Sequence, residues 1–215
     1  MDIASIRRRI EYLIQVDSSL YASALLNSGC SCARCGWCCR YNFDIRITKD
    51  ISRPSNAISI FPEDIRRIIK GTGNEWNKIA LPDIYSCLSD GDNIWVIGWI
   101  LKRNDAGDCV FYRGGSCAIY KYRPMICRCY PFFMDEKGLD IMHCEGGKDK
   151  IAEEIADQAG LLLKRYEIKK LQSYISILSQ LKDKLDIANL CSLPEDYSGN
   201  FLVCDNEGIS LRRLL

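Results

Sequence analysis

The cysteine-rich stretch at residues 32–40, CARCGWCCR, decides the expected fold, because it places four thiols within eight positions. Cys32, Cys35, Cys38 and Cys39 are spaced as CxxCxxCC. Two residues between cysteines allow a tight turn to direct both sulfurs at one point, and the repeated spacing adds a third. We therefore predict a metal centre on which these thiols converge.

Sulfur is the metal ligand that this chain offers in quantity, with 13 cysteines and one histidine. Thiolates are soft ligands that select Zn, Cu(I) or iron–sulfur clusters over Mg and Ca. A zinc ribbon needs two CxxC pairs about 15–20 residues apart, and the second pair is missing. The run CxxCxxC is instead similar to the ferredoxin run that holds the corners of one cubane. We favour an iron–sulfur cluster, with zinc as the first alternative and metal mixed with disulfides as the second.

The composition excludes several classes of protein. With 29 Lys plus Arg against 28 Asp plus Glu, the net charge of +1 gives no broad attraction for nucleic acid or an anionic membrane. Apolar residues make up 47%, which is typical of a globular chain. No apolar run has the length of a signal peptide or a membrane span. We expect a cytoplasmic protein whose partner is another protein.

Working outward, the flanks predict helices. Ile3, Ile6, Ile10, Leu13 and Ile14 form a helical stripe, and Asp17 is positioned to cap a second helix that ends near Gly29. Downstream, Pro62 opens a helix that we expect to stop at Gly71. Residues 148–184 predict a long helix that Gly160 bends or divides. Its expected inward positions include Ile155, Leu161, Leu163, Leu171, Tyr174 and Ile177.

The middle of the chain predicts short strands. Apolar and polar residues alternate at residues 43–47, which predicts one strand. The apolar run at 94–101 predicts another strand, which we expect to pair with a strand at residues 109–112. Residues 117–122 and 139–142 predict two more, and a hairpin is expected around residues 205–208. The expected fold class is α+β: a helical arm at 1–29, a cysteine domain of antiparallel strands at 30–147, and helices with a hairpin at 148–215.

Beyond the first motif, DCVFY, GGSCAIYKYRPMICRCYPF and HCEGG follow along the chain. Together with CARCGWCCR, they resemble the CxxCxxCC cysteine-cluster family, also called the YkgJ family, of zinc- or iron-chelating domains. The resemblance covers residues 30–147 and implies eight ligands: Cys32, Cys35, Cys38, Cys39, Cys109, Cys117, Cys127 and Cys144. Cys30 and Cys129 are additions to the pattern, and Cys87, Cys191 and Cys204 stand alone in apolar surroundings as expected core thiols.

Eight thiols suit two four-ligand sites, one larger assembly, or one cluster with four structural cysteines. Adjacent Cys38 and Cys39 point in different directions on most backbones, so we assign them to different metals or different corners of one assembly. We expect Arg123 and Arg128 to support the anionic cluster. The aromatic residues near these motifs are expected to form a dry shell around it; they are Trp37, Tyr120, Tyr130, Phe132 and Phe133.

Three functions remain open from the sequence. The first is an iron–sulfur protein for electron transfer, cluster delivery or partner recognition. The second rests on a resemblance to flagellin lysine-N-methylases, which are proposed to use S-adenosylmethionine and an iron–sulfur cluster, and it implies a cofactor site near Asp44, Tyr120 or Tyr130. The third is a zinc-stabilised interaction module. Nucleotide-binding, radical-SAM and hydrolase motifs are missing from the sequence, and no catalytic residue is assigned.

Overall fold

The computed structural model describes residues 3–28, 32–40, 57–89, 93–134, 138–141, 144, 151–182, 189–191 and 199–213. The helices in these ranges are α1 (Ile3–Gln15), α2 (Ser18–Ser28), α3 (Pro62–Thr72), α4 (Trp76–Ile79), α5 (Met125–Cys129) and α6 (Glu153–Gln180). The strands are β1 (Ser59–Ile60), β2 (Ala80–Pro82), β3 (Cys87–Ser89), β4 (Ile94–Ile97), β5 (Trp99–Leu101), β6 (Tyr112–Arg113), β7 (Ser116–Cys117), β8 (Phe132–Met134), β9 (Leu139–Ile141), β10 (Asn189–Cys191), β11 (Asn200–Asp205) and β12 (Gly208–Arg213). Short 3₁₀ helices cover Trp37–Cys39 and Tyr120–Tyr122. The α+β class is confirmed.

The chain forms two compact units, each built from two separate segments. Unit 1 comprises Met1–Arg40 and Phe111–Gln172, and unit 2 comprises Tyr41–Val110 and Ser173–Leu215. The first cysteine motif and Cys117 therefore belong to one unit, although all of residues 41–110 separate them in the sequence. The domain boundaries predicted at 29/30 and 147/148 fall outside the described residues and stay predictions.

In unit 1, α1 and α2 are held by polar contacts at their junction. The stripe of α1 is buried at Ile6, Ile10 and Leu13, but Ile14 is 58% exposed, so that part of the predicted face is wrong. The Asp17 carboxylate accepts a hydrogen bond from the Ser19 amide at 2.9 Å, as expected of a cap. Lys164 Nζ donates to the carbonyls of Ile14 at 2.8 Å and Val16 at 2.6 Å and so satisfies the end of α1.

Gly160 does not divide α6, which runs from Glu153 to Gln180 without a break, so this part of the expectation is wrong. The residue is buried against α2, where a Cβ would lie 2.9 Å from the Ala22 amide nitrogen and 3.1 Å from the Ser18 carbonyl oxygen. Both of these neighbours are backbone atoms, which cannot move aside as a side chain can. Glycine is present here because it allows the two helices to approach closely.

We predict that Gly160→Ala lowers the free energy of unfolding by about 1 kcal/mol. Overpacking costs about 1–3 kcal/mol, and the higher helix propensity of alanine returns about 1 kcal/mol. Thermal and urea unfolding followed by circular dichroism measures the change. Gln158→Ala, at an exposed position of the same helix, is the matched control and should leave stability nearly unchanged. A more stable Gly160→Ala protein would contradict this account of the α2–α6 contact.

Unit 2 contains two sheets, with strand orders β1-β5-β2 and β10-β3-β4-β11-β12. The run at residues 94–101, expected to be one strand, is two strands in different sheets. Gly98 divides them with φ 79°, a left-handed conformation that a β-branched residue rarely adopts. Among the pairings of these two sheets, β4 with β11 is the parallel one, and the others are antiparallel.

Two further strand predictions are wrong. Residues 109–112 do not pair with the run at 94–101: Cys109 forms an isolated bridge with Arg103, and Tyr112–Arg113 pairs with Ser116–Cys117. The expected strand at 117–122 is limited to its first residue, because Tyr120–Tyr122 is a 3₁₀ helix. The strand at 139–141 is confirmed, and the one expected at 43–47 lies outside the described residues.

The helix α3 begins at Pro62 as expected but extends past Gly71 to Thr72, and its C-cap is Gly73, with φ 73°. The helix ends two residues later than expected because Gly73, unlike Gly71, takes the left-handed conformation that ends helices. Asp64 is buried, accepts a hydrogen bond from the Phe61 amide at 3.4 Å, and pairs with Arg67 at 2.6 Å.

The terminal hairpin is confirmed as β11 and β12. Cys204 on β11 packs with Leu88, Trp95, Ile177 and Leu181, and it is fully buried. Cys87 is fully buried as well, so two of the three expected core thiols are confirmed; the side chain of Cys191 lies outside the described part of the structure.

On α6, the expected inward residues Leu163, Leu171 and Ile177 are buried, which confirms that part of the stripe. Ile155, Leu161 and Tyr174 were expected inward too but are exposed, so that part is wrong. No helix in the described ranges combines the length and the apolar character needed to cross a membrane.

Candidate metal centre

Gly36 positions the second half of the cysteine motif against the β6–β7 hairpin. It is buried with φ 69°, and a Cβ there would lie 2.6 Å from Tyr112 Cε2 and 2.7 Å from the Gly115 carbonyl oxygen. The Cys39 amide donates to the Gly36 carbonyl at 2.9 Å and closes the 3₁₀ turn at Trp37–Cys39. Glycine is required for this contact, both for the backbone conformation and for the space.

The hairpin places Cys117 beside that turn. Gly114 and Gly115 have φ 53° and 85°, and two successive positive φ angles are what a two-residue type I′ turn requires. The Ala118 amide donates to the Phe111 carbonyl at 2.8 Å, which closes the base of the hairpin. Gly114 and Gly115 therefore form the tight turn of the hairpin, which directs Cys117 towards the first cysteine motif.

Three thiols meet at this contact, and we call Cys38, Cys39 and Cys117 the thiol trio. The Cys39 thiol is within hydrogen-bonding reach of both Cys38 and Cys117. Because Cys39 carries one S–H proton, it can donate to only one neighbour at a time, so the trio shares its protons as one unit.

Two members of the trio ionise unusually easily. The hydrogen bond from Cys39 is the main reason that the pKa of Cys38 falls from 9.0 to about 7; burial opposes the change and Arg123 adds to it. When Cys39 donates to Cys117 instead, that hydrogen bond lowers the pKa of Cys117 from 9.0 to about 6, against the effect of burial and with help from the Ile119 amide and Arg123. The trio therefore supplies thiolates, the form of cysteine that binds metals, near neutral pH.

Arg123 is held rigidly beside these sulfurs. Its Nε donates to the Tyr120 carbonyl at 3.1 Å and its Nη1 to the Cys127 carbonyl at 3.1 Å. Its guanidinium also stacks 3.6 Å from the centre of the Tyr120 ring. Of the two arginines expected to support a cluster, Arg123 is the one with a charge effect on the trio, whereas Arg128 is exposed.

Arg34 joins the same stack and was not singled out from the sequence. Its guanidinium lies 4.4 Å from the centre of the Tyr120 ring, and its φ of 58° is left-handed. The loop between Cys32 and Cys35 is thereby connected to the segment that carries Arg123. The unusual backbone angle of Arg34 is a tertiary feature for which the sequence carries no signal.

The other predicted ligands lie in varied settings. Cys32 and Cys35 are exposed, Cys127 and Cys144 are half-buried, and Cys109 is buried in unit 2. Cys129, the uncertain neighbour of Cys127, is 4% exposed on α5, and Cys30 lies outside the described residues. Within the described ranges, no three or more Cys, His, Asp or Glu side chains form a group that could hold a metal ion. The eight-residue ligand set stays a prediction: Cys38 and Cys117 each interact with Cys39, but the three thiols do not by themselves form a metal site.

A cofactor site for methyl transfer was expected near Asp44, Tyr120 or Tyr130. Asp44 lies outside the described residues, and the Tyr120 ring is stacked with arginines. In the expected aromatic shell, Phe132 is buried, and Trp37, Tyr120, Tyr130 and Phe133 are half-buried.

Comparison with protein families gives a match over residues 31–150 to the family described as "CxxCxxCC: Putative zinc- or iron-chelating domain". The chain belongs to this family. It is accordingly a metal-binding protein of the CxxCxxCC type, and the matched region contains the thiol trio, Arg34, Tyr120 and Arg123. No curated protein and no solved structure matched the chain.

We predict that Arg123→Gln raises the pKa of Cys117 in metal-free protein, because a nearby positive charge that favours the thiolate is lost. Alkylation of Cys117 by iodoacetamide, followed by mass spectrometry across pH 5–9, should show a midpoint near 6 in the wild type and a higher one in the variant. Arg128→Gln is the matched control and should leave the midpoint in place. Equal midpoints in all three proteins would contradict the role of Arg123.

The stability of the metal-free protein should follow the same ionisation. Because folding lowers the pKa of Cys117 from 9.0 to about 6, its thiolate contributes stability that is complete above pH 9 and is lost as the pH falls towards 6. Urea unfolding measured over this range should show that fall, and the fall should be smaller for Arg123→Gln.

Proposed function

We propose that this CxxCxxCC protein holds an iron–sulfur cluster in unit 1, with the thiol trio as the nucleus of the site. The observation that carries the proposal is the contact of Cys39 with both Cys38 and Cys117, which joins the first motif to a cysteine far along the chain. The remaining ligands would come from the other predicted cysteines, of which Cys32 and Cys35 are exposed and Cys127 and Cys144 half-buried. When bound, the cluster would supply one-electron redox chemistry.

The chemistry of the ligands supports a thiolate-bound metal. The lowered pKa values of Cys38 and Cys117 reduce the cost of releasing protons when a metal binds. Four thiolates around either a [4Fe–4S]²⁺ cubane or a Zn²⁺ ion leave about two negative charges, which a neighbouring guanidinium offsets. Arg123 therefore favours a thiolate site of either kind, and the choice between iron and zinc depends on the arrangement of the cysteines.

That arrangement favours iron–sulfur. A structural zinc site takes four ligands in a closed tetrahedron, usually from two separated CxxC pairs. Here three of the four motif cysteines follow each other as CxxCxxC, and the adjacent Cys38 and Cys39 both lie in the trio. Several metal atoms can accept neighbouring sulfurs that one ion rarely takes together. A cluster held in this way suits electron transfer or cluster delivery to another protein.

The test is the metal content of anaerobically purified protein. We expect iron and acid-labile sulfide in equal amounts, a brown colour and a signal in electron paramagnetic resonance after reduction. Colourless protein that contains zinc alone would contradict the iron–sulfur proposal and would favour the zinc-stabilised interaction module. Protein without either metal after reconstitution would contradict both.

Single replacements then identify the ligands. Cys38→Ser, Cys39→Ser and Cys117→Ser should each lower the metal stoichiometry, since each removes a sulfur of the trio. Cys87→Ala and Cys204→Ala are the matched controls: both thiols are fully buried in unit 2, and their loss should leave the metal content unchanged. Because Cys38 and Cys39 are assigned to different metal atoms, their replacement should alter the cluster signal differently. Identical losses would contradict that assignment.

A further inference from the structure

The strand β12 lies at the end of the five-stranded sheet of unit 2, and among the described strands it pairs with β11 alone. Its outward apolar residues are prominent: Ile209 is 46% exposed and Leu211 is 67% exposed. An edge strand with exposed apolar side chains is a template for pairing with another strand.

The backbone of β12 is oriented for such pairing. The Gly98 amide donates to the Cys204 carbonyl at 2.9 Å, so the backbone polar groups of Cys204 face towards β4 and away from β12. Its cross-strand neighbour Ile209 is therefore in a non-hydrogen-bonded pair. Since these pairs alternate, the N–H and C=O groups of Ile209 and Leu211 point away from β11, to the open edge.

The side chains on this strand continue the core. Ile209 lies opposite Cys204, and Leu211 lies opposite Leu202. Cys204 belongs to the buried cluster of unit 2, and Leu202 packs against that cluster. Because cross-strand neighbours share a face of the sheet, Ile209 and Leu211 extend the same apolar face beyond the part that is covered.

We propose that β12 pairs antiparallel with β12 of a second copy of this chain, about a two-fold axis at Ser210. In this register Ile209 of one copy lies opposite Leu211 of the other, twice, and Ser210 lies opposite Ser210. The outward backbone groups of Ile209 and Leu211 then meet their counterparts and form about four hydrogen bonds. The result is a continuous sheet across the two copies.

The register is self-complementary in other respects, which is the reason for choosing a second copy over an unrelated strand. Arg212 lies opposite Gly208, which has no side chain to crowd it. Glu207, which comes opposite position 213, is already paired with Arg66 of its own copy, so the register rests on the apolar pairs of Ile209 with Leu211. The net charge of +1 also opposes self-association very little. A two-fold pairing of one surface patch is the commonest way in which identical chains associate.

Sedimentation of the full-length protein, as purified with its metal, tests the proposal. We expect a monomer–dimer equilibrium that shifts with concentration and a monomeric Leu211→Asp protein, because two carboxylates would replace the apolar pairs. Leu20→Asp is the matched control: Leu20 is 64% exposed on α2, in unit 1, and this variant should dimerise as the wild type does. Circular dichroism checks that each variant is folded. A wild type that stays monomeric at about 1 mM would overturn the proposal, as would a dimer that Leu211→Asp leaves intact.

Disulfide trapping tests the register. Ser210 residues face each other in a non-hydrogen-bonded pair with Cα atoms about 4.5 Å apart, close enough for a disulfide. Ser210→Cys should therefore give a covalent dimer under mild oxidation by glutathione disulfide, with the link at position 210 identified by mass spectrometry. Arg212→Cys should not, because the two copies of position 212 would be about 13 Å apart. A link at 212 and none at 210 would contradict the two-fold axis at Ser210.

Discussion

The contact among Cys38, Cys39 and Cys117 depends on one backbone approach, that of Gly36 to the carbonyl of Gly115 at the turn of the β6–β7 hairpin. Any side chain at position 36 would occupy the space of the hairpin backbone. Because the contact exists, the 3₁₀ turn that carries Cys38 and Cys39 lies beside Cys117, and Cys39 can hydrogen-bond in both directions. The lowered pKa values of Cys38 and Cys117 follow from this approach, because it brings Cys39 within reach of both thiols.

The discontinuous units explain why such a contact is needed. Residues 41–110, which separate the first motif from the hairpin, fold with the C-terminal segment as unit 2. The two parts of unit 1 are therefore brought together by tertiary packing and not by a short connection. Two glycines serve this packing, Gly36 at the hairpin and Gly160 at the α2–α6 contact, where each allows backbone to meet backbone.

Local features of the fold could be predicted from the sequence, and long-range ones could not. The Pro62 helix start, the Asp17 cap and the terminal hairpin depend on neighbouring residues, and the structure confirms them. The apolar run at residues 94–101 predicted one strand containing Gly98, whereas the chain passes from one sheet to another at this residue. A pattern of apolar residues carries no signal for such a change of sheet. Tyr120 and Arg123 could be named from their motif, but the stacking of Arg34 on Tyr120 depends on a contact between distant segments.

The cysteines show most clearly that environment, rather than residue type or count, sets chemistry. Burial among apolar side chains raises the pKa of Cys204 to about 11, and Asp205 adds to the effect, so that thiol stays protonated and serves the core. Cys117 is also partly buried, yet its pKa falls to about 6, because the Cys39 thiol, the Ile119 amide and Arg123 all stabilise its anion. Desolvation acts in the same direction on both sulfurs, and the supply of hydrogen-bond donors and positive charge decides which of them ionises near neutral pH.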